Sequence, residues 1–243
     1  MSSDILSFTK EDIDRVFPKI WDRELIKNSD FPEPTSHPKA FIWGGPPGAG
    51  KSSSMSRISK TYLDDNSLII SGDDYRKYHP NFKKIVQTYN DRWSLQTSKW
   101  SSAIFDRVFE KAIERGYNLQ IEGTMRSQEV VLNTVDFLSK EGYKVSFAVT
   151  LTPKNLCWDS TIERYEKQKV QGMISRAVDR EFFDNYFDSF ADSIIEIYDK
   201  NKDKLFLLLS RDDSTEAKVV YKSSLENIIN IDLIKKLVES KIF

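Results

Sequence analysis

The 243-residue sequence predicts an α/β protein whose doubly wound, mostly parallel sheet is covered by helices on both faces. Two observations support this prediction. Short apolar runs of the length of buried strands alternate along the chain with longer segments whose apolar residues recur at helical spacing. The alternation contains no internal repeat and no low-complexity tract, so we expect one main domain.

The composition narrows the class of protein before any motif is considered. Hydrophobic residues make up 39% of the chain and charged residues 30%, and the net charge of −1 argues against partners held by charge alone. No apolar run approaches the ~20 residues of a membrane helix, and the N-terminus lacks the pattern of a secretory signal. Cys157 is the single cysteine, which excludes an intramolecular disulfide. We expect a cytoplasmic protein without nucleic-acid or membrane partners.

The first 38 residues are predicted to form a helical N-terminal extension followed by a connector. Residues 1–27 show helical patterning, and Thr9 and Asp12 have the spacing of a capping box. Residues 28–38 are polar and contain three prolines, which is typical of an extended connector. The main domain is predicted to occupy residues 39–243.

The elements of the main domain follow from their patterns. Five apolar runs predict strands and a weaker run predicts a sixth: AFIW (40–43), SLII (67–70), YNLQIEG (117–123), YKVSFAVTL (143–151), KLFLLLS (204–210) and KVVYK (218–222). Helical spacing predicts helices after residue 51, around 104–112, around 131–138, from about Ser160 through Arg180, and from Phe183 to Ile197. The C-terminal end is also predicted to be helical.

A glycine-rich segment joins the first strand to the helix after it. Its sequence GPPGAGKS (Gly45–Ser52) matches the pattern G-x-x-x-x-G-K-[ST] without a mismatch. Glycines let successive backbone N–H groups turn toward phosphate oxygens, Lys51 reaches the β- and γ-phosphates, and the Ser52 hydroxyl ligates Mg²⁺. A plain strand-to-helix turn is the alternative, but the flanking elements favour a phosphate site. The predicted nucleotide-binding residues are Gly45, Pro46, Pro47, Gly48, Ala49, Gly50, Lys51, Ser52 and Ser53.

Polar residues follow the second and third strands, where ligands of open α/β sheets bind. Asp73 and Asp74 come after SLII, and either carboxylate suits the activation of an acceptor hydroxyl. A turn with two solvated acids is the alternative. Glu122, Thr124 and Arg126 come after the third strand, where an ion pair between Glu122 and Arg126 is the alternative to a substrate site.

A basic stretch follows the fourth strand. It contains Arg164, Lys167, Lys169, Arg176 and Arg180. A solvated amphipathic helix is the usual explanation of such a run. A helical lid that brings cations to the γ-phosphate is the other, since arginine at the transition state of phosphoryl transfer contributes ~10³–10⁵ in rate.

Five segments between Lys39 and Arg211 resemble the zeta toxin family, the toxins of bacterial toxin–antitoxin pairs. They are GGPPGAGKSS, IISGDDYRKYHPNF, GYNLQIEGTMRS, GYKVSFAVTLTP and STIERYE…SRA. The resemblance implies a fold of the P-loop NTPase and kinase type. It also implies that ATP and Mg²⁺ are used to phosphorylate the 3′-hydroxyl of UDP-N-acetylglucosamine, and that a small helical antitoxin is a partner.

The resemblance also implies roles for individual residues. Lys51 matches the phosphate lysine, and Asp73, six residues before His79, matches the catalytic base, whereas Asp74 does not. The substrate side is matched by Glu122, Thr124 and Arg126. The arginines that contact the ATP phosphates are matched by Arg164 and Arg176.

The chain departs from the family pattern at three points. Ser71 stands where many members have an acid, and the spacing between the two arginines is one residue shorter than in some members. Met125 replaces a smaller or Leu-like residue, which predicts an altered sugar pocket. Two other functions therefore stay open: a P-loop kinase for another hydroxyl compound (a nucleoside, a dinucleotide or an antibiotic), and a nucleotide-dependent switch without transfer.

Overall fold

A computed structural model describes residues 4–26, 32–211, 217–223 and 232. Its strands are β1 (Lys39–Gly44), β2 (Leu68–Ser71), β3 (Leu119–Glu122), β4 (Lys144–Leu151), β5 (Leu205–Ser210) and β6 (Lys218–Lys222). Its helices are α1 (Lys10–Ile26), α2 (Lys51–Tyr62), α3 (Phe82–Tyr89), α4 (Trp93–Gln96), α5 (Ser98–Glu114), α6 (Gln128–Lys140), α7 (Lys154–Val170) and α8 (Arg180–Asp199). Two 3₁₀ helices span Gly72–Tyr78 and Asn90–Arg92.

The described strands form one sheet in the order β2-β3-β1-β4-β5-β6. The first five strands in this order are parallel, and β6 runs antiparallel to β5. Glu122 on β3 pairs in register with Trp43 on β1 and with Ser71 on β2. The three strands therefore end at one level, which brings the residues that follow them to the same edge. The predicted α/β class with a mostly parallel sheet is confirmed.

Side chains of β1 alternate between two hydrophobic clusters, because successive residues of a strand point to opposite faces. Ala40 and Ile42 join the larger cluster, to which helices such as α1, α5, α6 and α8 contribute. Phe41 and Trp43 join the smaller cluster with α2. Both faces of this strand are buried, which explains why its sequence shows an unbroken apolar run.

Local signals at two helices are confirmed. The backbone N–H of Thr9 donates to Asp12 Oδ2 at 3.0 Å, and the Asp12 N–H donates to Thr9 Oγ1 at 3.2 Å, which is the reciprocal pattern of a capping box. Three aromatic residues of α8, Phe183, Phe187 and Phe190, are fully buried. Their helical spacing predicts this core packing.

The prediction of one charged helix from Ser160 through Arg180 is wrong at both ends. Helix α7 begins at Lys154 and ends at Val170, and residues 171–179 form an irregular segment before α8. Gly172 adopts φ +66°, and its N–H returns to the carbonyl of Lys169, as expected of a left-handed helix C-terminus. Arg176 consequently lies on the irregular segment, so the segment predicted as a helical lid is only partly helical.

Two other predictions concern residues outside those described. The helical C-terminal end falls in 224–243, of which only residue 232 is described, and the connector is described only from residue 32. No helix within the described ranges combines the length and the apolar character needed to cross a membrane.

Candidate active site

The loop between β1 and α2 has the backbone geometry of a phosphate cradle. Gly45, Gly48 and Gly50 have φ values of +144°, +80° and +86°, a region that glycine enters without steric cost. The Lys51 ammonium donates to the carbonyl oxygens of Gly45 at 2.8 Å and Pro46 at 3.2 Å. The loop therefore curls around its own lysine at the start of α2, where free N–H groups and the helix dipole favour an anion.

Lys51 is placed where its charge acts on the cleft rather than on solvent. Burial lowers the pKa of Lys51, while the nearby carboxylates of Glu122 and Asp73 oppose that shift. Arg164 lies close enough to lower the pKa of Lys51 further. A bound phosphate would add negative charge beside the ammonium and favour its charged form.

We expect the substitution Gly48→Ala to abolish nucleotide binding. A Cβ atom at residue 48 would lie 2.1 Å from the carbonyl oxygen of Cys157, which belongs to the backbone of α7 and cannot swing aside. The left-handed φ adds a further penalty of about 1–2 kcal/mol for any residue with a side chain. The measurement is equilibrium binding of a non-hydrolysable ATP analogue, together with denaturant unfolding.

Gly142→Ala is the matched control, because Gly142 also has a positive φ (+82°) but no atom lies within 4 Å of the point where a Cβ atom would be added. This variant should lose about 1–2 kcal/mol of stability and keep its affinity for the analogue. Analogue binding by Gly48→Ala at the parent's affinity would contradict the tight packing of the loop on α7.

A cleft of about 710 Å³ opens above the phosphate loop at the carboxyl ends of the strands. Predicted residues from five separate segments meet there. Its lining includes Pro47, Gly48, Ala49, Gly50, Lys51, Ser52, Ser53, Asp73, Glu122, Thr124, Arg164 and Arg176. The fold therefore brings together most of the predicted site.

Asp73 lies in this cleft between two arginines. Its Oδ1 pairs with Arg76 Nε at 2.9 Å, and its Oδ2 pairs with Arg176. Burial of the Asp73 carboxyl group acts to raise its pKa. The positive charges of Arg176 and then Arg76 outweigh burial and hold the pKa of Asp73 at about 2. Asp73 is therefore fully ionised at neutral pH and, while both arginines hold it, only a weak base.

Asp74 points to a different part of the molecule. It lies near Arg23 of α1, whose pKa is raised first by its hydrogen bond to Tyr78 and further by Asp74. Asp74 is absent from the residues that line the cleft. Of the two acids after β2, Asp73 is the one that faces the phosphate loop.

Arg164 on α7 and Arg176 on the irregular segment both line the cleft near the carboxylates of Asp73 and Glu122. Burial lowers the pKa of Arg164, Arg176 lowers it further, and Asp73 and Glu122 oppose both effects. The two guanidinium groups are thus close enough to repel each other. An anion placed between them would relieve that repulsion.

A groove of about 850 Å³ adjoins the cleft, between α5 and α6. Glu122, Gly123 and Thr124 line both spaces and form their common wall. Arg126 lines only the groove, and its guanidinium lies over the Phe182 ring, 5.2 Å from the centroid. In the described part of the chain, no ion pair joins Arg126 to Glu122, so the alternative explanation of these two residues is not supported.

Several residues that line these spaces were not among the predicted site residues, and two of them are Arg211 and Asp106. Arg211 follows β5, lines the cleft and donates from Nη2 to Ser160 Oγ at 2.6 Å, and its buried Nε has no partner among the described residues. Its position at a strand end was a signal that sequence reasoning missed. Asp106 on α5 lines the groove, and burial, then Glu110, raises its pKa. Its helical position gave no such signal.

The donor set of the cleft suits a hard cation. The exposed Ser52 hydroxyl lines the cleft together with the carboxylates of Asp73 and Glu122, and Mg²⁺ prefers oxygen ligands of these kinds. The described residues contain no cluster of three or more His, Cys, Asp or Glu side chains able to hold a metal by themselves. A magnesium ion here would therefore take further ligands from bound phosphates and water.

A mostly parallel sheet whose strand β1 leads through GPPGAGKS into a helix defines a P-loop protein of the NTPase and kinase type. Within that class, the chain belongs to the zeta toxin family, because the family model described as "Zeta toxin" matches residues 22–226. The match begins inside α1 and continues beyond β6.

Curated zeta toxins from three bacteria are similar to this chain. Those of Enterococcus hirae and Streptococcus pyogenes are 33% identical over 148 and 162 residues, and that of Streptococcus agalactiae is 32% identical over 183 residues. These matches cover 60%, 66% and 75% of this chain, and 51%, 55% and 62% of the relatives. The chain thus spans between half and two thirds of the length of the curated relatives that it matches.

Solved structures show the same fold. A structure from the PezAT chromosomal toxin–antitoxin system of Streptococcus pneumoniae has a TM-score of 0.80 at 26% identity, covering 97% of this chain and 90% of that chain. A structure of AvrRxo1-ORF1:-ORF2 with ATP has a TM-score of 0.64 at 13% identity, covering 94% of this chain and 73% of that chain. At that identity the second likeness shows the fold alone.

Proposed function

We propose that this protein is an ATP-dependent kinase that transfers the γ-phosphoryl group to the 3′-hydroxyl of UDP-N-acetylglucosamine and acts as the toxin of a toxin–antitoxin pair. One observation carries the proposal. The phosphate cleft and the neighbouring groove share the wall Glu122–Thr124, and Asp73 faces the cleft across from Lys51. A donor phosphate in the cleft and an acceptor in the groove would meet at that wall.

On the donor side, the chain supplies charge and fixed geometry. The loop N–H groups and Lys51 hold the β- and γ-phosphates, while Arg164 and Arg176 balance the charge that builds on the transferred group. Arg211 adds a further cation at the edge of the same cleft. Ser52 would hold Mg²⁺, which supplies charge neutralisation between the phosphates when bound.

On the acceptor side, Asp73 receives the hydroxyl proton and Glu122, Thr124 and Arg126 position the sugar nucleotide. The ion pair with Arg176 lowers the basicity of Asp73. A phosphoryl group that attracts Arg176 removes one of the two cations that lower this pKa. Asp73 then becomes a stronger base when the donor site is filled, which favours proton removal from the acceptor at the moment of transfer.

The test combines ATP consumption with mass spectrometry of the products. UDP-N-acetylglucosamine is compared with nucleosides, dinucleotides and antibiotics that carry free hydroxyl groups. We expect ADP and a sugar nucleotide with one added phosphate on the 3′ position of the sugar. Transfer to another compound alone would replace the acceptor, and slow ATP hydrolysis without any transfer would identify a nucleotide-dependent switch.

We also propose that an antitoxin protein binds this chain. The PezAT system, to which a solved structure of similar fold belongs, is described as a toxin–antitoxin system. Co-expression of the gene that neighbours this one should relieve growth arrest caused by the parent protein. Arrest that persists with every neighbouring gene would contradict such a partner.

A further inference from the structure

The turn that follows β3 contains a strained residue at the wall between cleft and groove. Met125 has φ +52°, a left-handed conformation that residues other than glycine, asparagine and aspartate rarely adopt. Its neighbours Thr124 and Arg126 are the predicted acceptor residues. Strained backbone of this kind persists only where the surrounding structure holds it in place.

Two side chains of α8 hold this turn by consecutive carbonyl groups. The Tyr186 hydroxyl donates to the carbonyl oxygen of Thr124 at 2.6 Å, and the Ser193 hydroxyl donates to that of Met125 at 2.5 Å. Tyr186 is fully buried and Ser193 is 2% exposed. Because the two residues are seven apart on one helix, they lie on the same face, two turns from each other.

The turn is also tied to the phosphate loop. A Cβ atom at Gly44 would lie 2.4 Å from the sulfur of Met125, so the Met125 side chain fills the space beside the last residue of β1. Burial raises the pKa of Tyr186. The backbone N–H of Gly45 lies beside the Tyr186 hydroxyl and acts to lower that pKa. One tyrosine therefore touches both the donor loop and the acceptor turn.

We infer that Ser193 and Tyr186 are positioning residues that fix the Gly123–Arg126 turn in its strained conformation and so set the distance between acceptor and donor. The inference rests on the proposed function for the identity of the two sides. It assigns to α8 a part in acceptor binding that no motif of the sequence marks. Neither residue touches the reacting atoms.

The test uses Ser193→Ala and Tyr186→Phe in the full chain, with Ser189→Ala, an exposed residue of the same helix, as the matched control. Each single variant should raise the KM for UDP-N-acetylglucosamine about fivefold to tenfold. Ser193→Ala, whose hydroxyl contacts only the turn among the described residues, should leave the KM for ATP within about twofold of the parent. Ser193→Thr, which keeps the hydroxyl, should restore the acceptor KM. A general loss of structure would instead change both KM values and lower the thermal midpoint, and that result would overturn the positioning role.

Amide hydrogen exchange of the same variants tests whether α8 holds the turn, and it does not depend on catalytic activity. Amides of the turn should exchange at least about fivefold faster in Ser193→Ala than in Ser189→Ala, while the amides of α2 exchange at the parental rate. Equal exchange in the two variants, or equal acceptor KM values, would overturn the inference. A parent protein that transfers phosphate to no hydroxyl compound would refute the proposed function, and the exchange rates would still decide whether α8 holds the turn.

Discussion

Replacing Asp73 by asparagine should remove most phosphoryl transfer while ATP binding is retained. The amide keeps the size of the carboxylate but cannot accept a proton, and general-base assistance contributes ~10²–10⁴ in rate. Loss of the negative charge also frees Arg76 and Arg176, which both pair with Asp73. With fewer anions opposing them, these cations should bind the nucleotide phosphates as tightly as before or more tightly. Single-turnover kinetics and calorimetric titration with an ATP analogue separate the two effects.

Asp74→Asn is the matched control for this variant. Asp74 is the next residue of the same 3₁₀ helix, yet it lies toward Arg23 instead of lining the cleft. We expect its transfer rate to stay within about threefold of the parent, because Asp74, which is half-buried, lies outside the cleft. Equal rates for Asp73→Asn and the parent would remove Asp73 from the mechanism.

Replacing Lys51 by alanine should weaken nucleotide binding and slow transfer together. The ammonium is held on the loop carbonyls of Gly45 and Pro46 and provides positive charge at the start of α2. Losing one preorganised donor of this kind costs on the order of 10²–10³ in rate. The loss should appear in both the dissociation constant of the ATP analogue and kcat, since in the proposed mechanism the lysine contacts phosphate before and during transfer.

Lys60→Ala removes a lysine from the last turn of the same helix, where the side chain is exposed to solvent. That variant should bind the analogue and turn over like the parent. If Lys51→Ala also matches the parent in both measurements, the loop is not a phosphate site.

Much of the proposed phosphate site can be predicted from the sequence, because the residues that form it are close together in the chain. The loop from Gly45 to Ser52 needs glycines at fixed offsets, a lysine and a hydroxyl, and all of them lie within eight consecutive residues. Strand and helix signals on either side give its context. The structure accordingly shows the curled loop and the helix start where the sequence predicts them.

The acceptor half depends on contacts between distant segments. The position after β2 does not by itself separate Asp73 from Asp74, and the family resemblance selects Asp73. In the structure, Asp74 lies near Arg23 of α1, whereas Asp73 lines the cleft. The end of α7 at Val170 was missed because a single glycine is tolerated in many helices, and here its left-handed φ ends the helix. The sequence pattern therefore predicts Arg176 on a helix, whereas in the structure it lies on the irregular segment between α7 and α8 and pairs with Asp73.

By itself, the sequence determined the α/β class, the strand positions and the phosphate loop, because hydrophobic periodicity and turn chemistry act over a few neighbouring residues. The tertiary structure alone decided that Arg176 pairs with Asp73, that Arg211 reaches the cleft, and that Ser193 and Tyr186 hold the turn at Met125. The two hydrogen bonds from α8 to that turn span 62 and 68 positions of the chain. Contacts over such separations follow from how the helices pack on the sheet, which no local pattern of residues specifies.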